Sequence, residues 1–181
     1  MGNREDLLAG AEQCLYEKGY ARTTSRDIAT AAGVSLAAIG YHFGSKEALL
    51  NAALRRALEK WGDDLEAAMT DGAPAEKFEA AWSRVVASFP ATNPLWSIQF
   101  ELLSQLRQNA GFREMFAGTN HDARQGLLEL FGRPAEHTEA AGAVYQALLI
   151  GLAAMWLADP ESTPSGPEIL NGIRAIAGFR P

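Results

Sequence analysis

An all-α fold is the class this sequence predicts, and three observations carry it. Apolar residues recur at spacings of three and four along the chain, and β-branched runs are few, so no segment reads as a strand. Ser, Thr or Asn followed three residues later by an acid stands before several of the periodic segments, as helix N-termini require. Gly and Pro punctuate the intervals between them. The pattern predicts about nine helices. They form an N-terminal three-helix domain with a helix-turn-helix over residues 1–50, and a larger helical domain over 51–181.

Asn3 with Asp6 predicts the cap of a first helix, over about 4–18, that ends at Gly19. The next stretch, Thr23 to Leu50, is the most informative in the chain. Thr24 caps a short helix, Asp27 completes a capping box, and Ile28 supplies the inward apolar contact. Gly33 stands where the chain must turn sharply, and Ser35 can cap the helix that follows. Two helices joined by a short Gly-containing turn make a helix-turn-helix, whose second helix enters the DNA major groove.

Ser45 then caps a long helix with Leu50, Leu54, Leu58, Trp61, Leu65 and Met69 on one stripe, stopped by Asp71-Gly72-Ala73-Pro74. Such a helix is roughly 35 Å long at about 1.5 Å per residue. Phe78, Trp82, Val85 and Phe89 form a stripe that Pro90 is expected to terminate. Asn93 with Pro94 at the first helical position starts a helix to about Asn109. Another runs from near Phe112 to Gly132-Arg133-Pro134, then one from Thr138 to Ala158, and a last one over about 166–177 opened by Ser165 and Glu168.

Ala140 to Ala158 has only Gln146 as a clearly polar residue, close to the length of a membrane span. Its flanks carry Glu136, Glu139, Asp159 and Glu161 and no basic anchors. Gly142, Ala143, Ala147, Gly151 and Ala154 would let another helix approach closely. A buried interface helix is therefore the expectation, and no membrane partner.

The chain of 181 residues is long enough for a real core, and its hydrophobic content of 48% and charged content of 21% are ordinary for a globular protein. One cysteine, Cys14, excludes an intramolecular disulfide; it follows Leu7 by seven residues and reads as a core residue in a reducing compartment. MGNREDLL has no apolar run before a cleavage site, so a cytoplasmic protein is expected. The net charge of −6 looks wrong for a nucleic-acid binder, yet Lys18 to Lys46 holds four bases and one acid. Placement outweighs the sum, because salt screens charges beyond roughly 8–10 Å. Nothing pairs a nucleophile with a base, no Gly-rich phosphate loop exists, and His121-Asp122 has no third ligand at metal spacing. No enzyme, no metal and no cofactor is expected.

TTSRDIATAAGVS, the run Ile39-Gly40-Tyr41-His42-Phe43 and Ser45-Lys46-Glu47-Ala48-Leu49 together resemble the TetR family of transcriptional regulators, and Leu8, Ala11, Leu15 and Gly19-Tyr20 fit that family's first helix. The resemblance covers about residues 4–60. It implies that Thr24 offers a phosphate its hydroxyl or helix N-terminus, and that Ser35, Leu36 and Ala37 lie at the groove end of the recognition helix. It also implies that Tyr41 and His42 contact the DNA backbone and that Lys46 reaches a phosphate; such anchors fix register without reading sequence. Outside the family pattern, Tyr41 fits a core tyrosine, His42 a helix-terminal histidine and Lys46 a solvated charge, while Phe43 reads as core. Many members carry an aromatic residue where this chain has Gly40, so that contact is absent. Leu36, Ala37 and Ala38 offer only apolar contacts, for example to thymine methyls. Arg26 is left as the candidate for base readout, with a phosphate contact or solvent equally open.

For the larger domain the resemblance implies only helices that dimerise and often bind a small molecule. Phe78, Trp82, Phe89, Trp96, Phe100, Met115 and Phe116 concentrate bulky groups that could line an apolar pocket, with Gln99, Glu101, Gln105, Asn109 and His121 as polar candidates. The same spacing also fits plain core. Helices 138–158 and 166–177 are expected to pack on their symmetry mates through Val144, Leu148, Gly151, Leu152, Met155, Ile169 and Ile173. A two-fold dimer demands a palindromic operator in double-stranded DNA. The leading reading is a homodimeric repressor released by a small-molecule effector. The alternatives are a helical small-molecule-binding or catalytic domain with a vestigial helix-turn-helix, and a DNA-binding protein without a ligand.

Overall fold

The structure, a computed structural model, describes residues 2–67, 73–105, 110–132 and 138–178, with the side chains at 2, 74, 105 and 110–119 outside that description. Its elements are α1 (Gly2–Lys18), α2 (Ser25–Ala32), α3 (Ala37–Phe43), α4 (Lys46–Ala67), α5 (Pro74–Gln105), α6 (Ala110–Phe131), α7 (Thr138–Ala158), a 3₁₀ turn (Pro160–Ser162) and α8 (Gly166–Gly178). Among the described residues every regular element is helical, and the all-α class stands. The described residues form eight α-helices, against the expected nine.

The missing boundary is at Pro90 and Pro94. Each proline removes a helical donor and crowds the preceding turn, a cost of about 3 kcal/mol in a helix interior. The helix continues nonetheless. Phe89, Leu95, Trp96 and Ile98 around the two prolines are all buried, and each contributes about 1.5–3 kcal/mol that depends on helical placement. Hydroxyls add local support: Ser88 Oγ donates to the Val85 carbonyl at 2.7 Å and Thr92 Oγ1 to the Ser88 carbonyl at 2.9 Å. Two caps also differ from expectation. The first helix already starts at Gly2, so Asn3 and Asp6 lie inside it. Ser35 does not cap with its side chain; its carbonyl accepts from the Ala38 N–H at 3.0 Å, and Leu36 holds the N-cap position without a side-chain bond.

The chain divides into two compact units: Met1–Trp61 with Pro94–Gln105, and Gly62–Asn93 with Leu106–Pro181. The expected boundary near residue 50 is therefore displaced. Leu49, Leu50, Ala53, Leu54 and Ala57 of α4 are buried in the first unit, and the end of α5 joins it. Leu7, Leu8, Ala11, Cys14 and Leu15 of α1 complete that core with Ile28, Ala29, Ala38 and Ile39. Gly10 lets α1 and α2 approach closely, since a Cβ there would lie 2.8 Å from the Ala32 nitrogen. Trp61 meets Trp96 edge-on at 5.2 Å between ring centroids, and Arg56 pairs with Glu5 at 3.2 Å and Glu12 at 3.1 Å.

The second unit is built on aromatic contact. Trp82 stacks flat on Phe131 with centroids 4.2 Å apart, and Phe78 lies 6.0 Å from Phe131 and 6.1 Å from Tyr145. Phe89 meets Trp156 at 5.9 Å. Gly166 begins α8 against the α5 backbone: a Cβ there would lie 2.6 Å from the Glu79 carbonyl and would collide with Ser83. Between α6 and α7, Arg124 Nε donates to Gln146 Oε1 at 2.9 Å, and the Gln146 amide donates to Asn120 at 2.8 Å. By length and composition α7 could cross a membrane, yet 22% of its apolar window is buried within the chain. Val144, Ile150 and Met155 on it stay exposed, so part of its apolar surface is not covered by the rest of the described chain.

Candidate nucleic-acid interface

The site begins at the end of α1. Gly19, at φ +80°, donates its N–H to the Leu15 carbonyl and turns the chain. Thr23 is wholly buried; its hydroxyl bonds the carbonyls of Cys14 at 3.2 Å and Gly19 at 2.7 Å. Thr24 then caps α2 as a complete box. Its Oγ1 accepts from the Asp27 N–H at 3.2 Å, while Asp27 Oδ2 accepts from the Thr24 N–H at 2.9 Å and hydroxyl at 2.7 Å. Lys18 Nζ bonds the other Asp27 oxygen at 2.6 Å. That bond and the two from Thr24 hold the Asp27 carboxyl well below the usual carboxylate range, and the same bond raises the Lys18 ammonium.

The turn is closed by Gly33 in the left-handed region, at φ +64°. Its N–H reaches the Thr30 carbonyl at 3.2 Å and the Val34 N–H reaches the Ala29 carbonyl at 3.1 Å, the paired bonds of a Schellman motif. Helix α3 buries Ala38 and Ile39 and turns Ala37, Gly40 and Tyr41 outward, with Leu36 beside them. Tyr41 is 85% exposed, which removes the core-tyrosine alternative. Its ring meets that of His42 edge-on at 4.8 Å, and His42 is half-buried. Phe43 is half-buried under the Arg4 guanidinium, 5.2 Å from its centroid. A Cβ at Gly40 would meet nothing within 4 Å, so the outer face has open space there.

Ser45 Oγ accepts from the Ala48 N–H at 3.0 Å and so caps α4 as expected. Lys46 is more engaged than a surface anchor: its Nζ donates to the Thr23 carbonyl at 3.1 Å and lies 3.5 Å from Glu47. The ammonium thus sits beside the start of α2, with one hydrogen already used. Of the four bases from Lys18 to Lys46, Lys18 is paired with Asp27, leaving exposed Arg22 and Arg26 as the outward cations. Arg22 was missing from the sequence-based set. Its Nε is anchored on the Lys18 carbonyl at 2.7 Å, which orients the guanidinium; its position two residues before the N-cap was the available signal. Arg26 carries no ion pair among the described residues.

Of the expected pocket group, the structure brings Phe78 and Trp82 together, their ring centroids 6.2 Å apart. Phe78 and Trp82 belong to the second unit, while Trp96, packed on Trp61, and half-buried Phe100 belong to the first. Met115 and Phe116 have side chains outside the described residues, as do Gln105 and Asn109, and His121 is exposed. Glu101 has a different task, accepting two backbone N–H groups, from Tyr20 at 3.1 Å and Ala21 at 2.9 Å. No metal-holding cluster occurs among the described residues.

A capped helix, a left-handed glycine turn and a second short helix with an outward face define the class: a helix-turn-helix protein. Residues 7–53 match the family model for bacterial regulatory proteins of the tetR family. Over that segment the chain is similar to the TetR family of transcriptional regulators, and it spans less than two thirds of the length of the curated relatives it matches first. It is 31% identical over 123 residues to the HTH-type transcriptional repressor AcnR of Corynebacterium efficiens, a match covering 68% of this chain and 60% of that protein. Among solved structures it is similar to a putative transcriptional regulator from Streptomyces coelicolor A3(2), with a TM-score of 0.73, 23% identity, and 99% and 100% of the two chains covered. The multidrug binding protein EbrR, solved with imidazole, is similar at a TM-score of 0.70 and 23% identity, over 98% and 90% of the chains. These two likenesses speak to the fold.

Proposed function

We propose that this protein is a homodimeric DNA-binding transcriptional regulator, a repressor that a small apolar ligand releases from a palindromic operator. The observation that carries the reading is the outward face of α3, where Leu36, Ala37, Gly40 and Tyr41 lie exposed on a helix held by the Gly33 turn. Tyr41 and His42 serve as backbone anchors, and Lys46 with Thr24 offers a phosphate an ammonium beside a helix N-terminus. Leu36 and Ala37 supply apolar contact to thymine methyls, and Arg26 is the reader of base edges or phosphate. Ser35, exposed at the turn, completes the groove-facing set. The repressor sense follows the likeness to AcnR. Chromosomal DNA as the partner makes the cytoplasm its place of work.

Dimerisation rests on the uncovered apolar surface of α7 and α8. Val144 at 62% exposure, Met155 at 44% and Gly151 form that surface, and Leu148 and Ile173 are half-buried beside it. Leu152 and Ile169 leave the expected interface set, because both are buried in the chain's own core; exposed Ile150 and Ile176 replace them. A second copy covering this surface makes a two-fold dimer, and two-fold helix-turn-helix dimers read half-sites about one DNA turn apart.

The ligand reading has one specific support. Trp82 is fully buried within the cluster of Phe78, Phe131 and Tyr145, and its indole N–H has no hydrogen-bond partner among the described residues. A buried unsatisfied donor costs about 1–3 kcal/mol, and a neutral apolar molecule with an acceptor would relieve it. EbrR is a multidrug binding protein by its own description. Ligand preference for one spacing of the recognition helices would shift the population away from the DNA-competent state.

Selection of duplexes from a random pool by the purified protein tests the function. A palindromic consensus is expected, and Tyr41→Ala should weaken binding to it roughly tenfold, about 1.4 kcal/mol, without lowering the melting temperature. Unchanged affinity of that variant would remove α3 from the DNA contact.

A further inference from the structure

Resting on the DNA-binding reading, we infer that Glu101 is a positioning residue for DNA recognition, whose carboxylate holds the α1–α2 junction in its DNA-competent pose. The junction leaves α1 at Gly19, whose N–H still reaches the Leu15 carbonyl, and enters α2 at the Thr24 cap, so the N–H groups between them lie beyond the helical ladder. Glu101 takes two of them in a fork, one oxygen each: Oε2 accepts from Tyr20 at 3.1 Å and Oε1 from Ala21 at 2.9 Å. These bonds join residues 81 and 80 positions apart in sequence. Gly19 makes room for the fork, because a Cβ there would stand 3.3 Å from Oε2 and at a φ of +80°.

The rest of the junction is held from other sides. Thr23 ties it to α1, the Lys46 ammonium ties the Thr23 carbonyl to α4, and the Tyr20 hydroxyl donates to Asn51 at 2.9 Å. Burial pushes the Tyr20 phenol up, so this donor keeps its proton. From α5 the junction receives the two Glu101 bonds, to the N–H groups of Tyr20 and Ala21. Three residues later stands Thr24, the N-cap that starts the helix-turn-helix. Loss of the fork therefore frees the backbone that sets how α2 and α3 leave α1. The same unbroken α5 carries Phe78 and Trp82 toward its start, so the residue that steadies the junction lies on the helix of the aromatic cluster.

The test uses the full chain with Glu101→Gln, which keeps size but supplies only one acceptor, and Glu101→Ala. Amide hydrogen exchange and affinity for the selected palindrome are read together. In Glu101→Gln the Tyr20 and Ala21 amides should exchange roughly tenfold faster, as loss of one such bond implies, while Leu15 and Ile28 keep their protection. Affinity should fall roughly tenfold with an unchanged salt slope, since no phosphate contact is removed. Glu101→Ala should exceed both effects. Unchanged exchange at 20 and 21 overturns the clamp, and faster exchange with undiminished affinity overturns the positioning role. Affinity that falls only with protection lost throughout α1 and α2 is unfolding, and also overturns it. A wild-type protein that selects no DNA overturns the DNA-binding reading itself, and is recognised because the exchange difference persists.

Discussion

The two compact units are held by different physics. In the first, directed bonds do the locating: the Thr24–Asp27 box, the Lys18–Asp27 pair, the Thr23 hydroxyl on two carbonyls and the Glu101 fork each fix one backbone segment. In the second, aromatic faces and close helix approaches at Gly142 and Gly166 dominate, with one amide relay through Gln146. A unit that must present a short helix to a groove benefits from bonds with strict distance and angle. Under the function proposed above, the second unit takes an apolar molecule and a second copy of itself, tasks that undirected burial serves.

The sharpest way to break that contrast is Trp82→Ala. Removing a fully buried indole should cost about 3–5 kcal/mol in denaturant unfolding, whereas Trp82→Phe, which keeps a ring against Phe131 and drops the unpaired N–H, should be close to neutral. Equal losses in the two variants would mean that the indole nitrogen has a partner and that the second unit also relies on directed bonds. Next comes Val144→Glu on the exposed stripe of α7. The protomer should melt unchanged while the dimer dissociation constant, read by sedimentation, rises at least tenfold, about 1.4 kcal/mol; a persistent dimer would move the interface elsewhere.

In the first unit Thr24→Ala should lower stability by about 1 kcal/mol, visible as a shift in the urea midpoint at constant slope. The smallest effect is a pH signature. The Asp27 carboxyl is held low in the folded chain, so its stabilisation is fully present above the unfolded carboxylate value of about 3.9 and is lost as pH falls toward the folded one. Asp27→Asn should therefore be less stable at neutral pH and lose less on acidification. An identical acid limb in both proteins would show that the bonds from Lys18 and Thr24 to the Asp27 carboxylate add no stability.

What was readable in advance follows the same division. The capping box at Thr24, the Gly33 turn, the Ser45 cap and the Ser165–Glu168 pair are local, depend on residues three or four apart, and stand as expected. Local rules misjudged Asn3, which a longer helix absorbed, and Ser35, whose backbone took the place of its hydroxyl. Pro90 and Pro94 were misjudged for a larger reason, since burial of Phe89, Leu95, Trp96 and Ile98 outweighs a penalty that local reasoning counts alone. Helical spacing put Phe78, Trp82, Trp96 and Phe100 on apolar faces without identifying what each face packs against. Glu101 could not be found at all, because nothing near it in sequence announces two donors some eighty residues away.

By itself the sequence determined the all-α class, the helix-turn-helix and the residues turned outward on it, because caps, turn glycines and 3.6-residue periodicity are short-range and chemically specific. Only the tertiary structure decided where the units divide, that one helix runs through two prolines, that Leu152 and Ile169 face inward, and that Glu101 grips the junction before α2. Those outcomes depend on which surfaces meet, and apolar burial is indifferent to sequence distance.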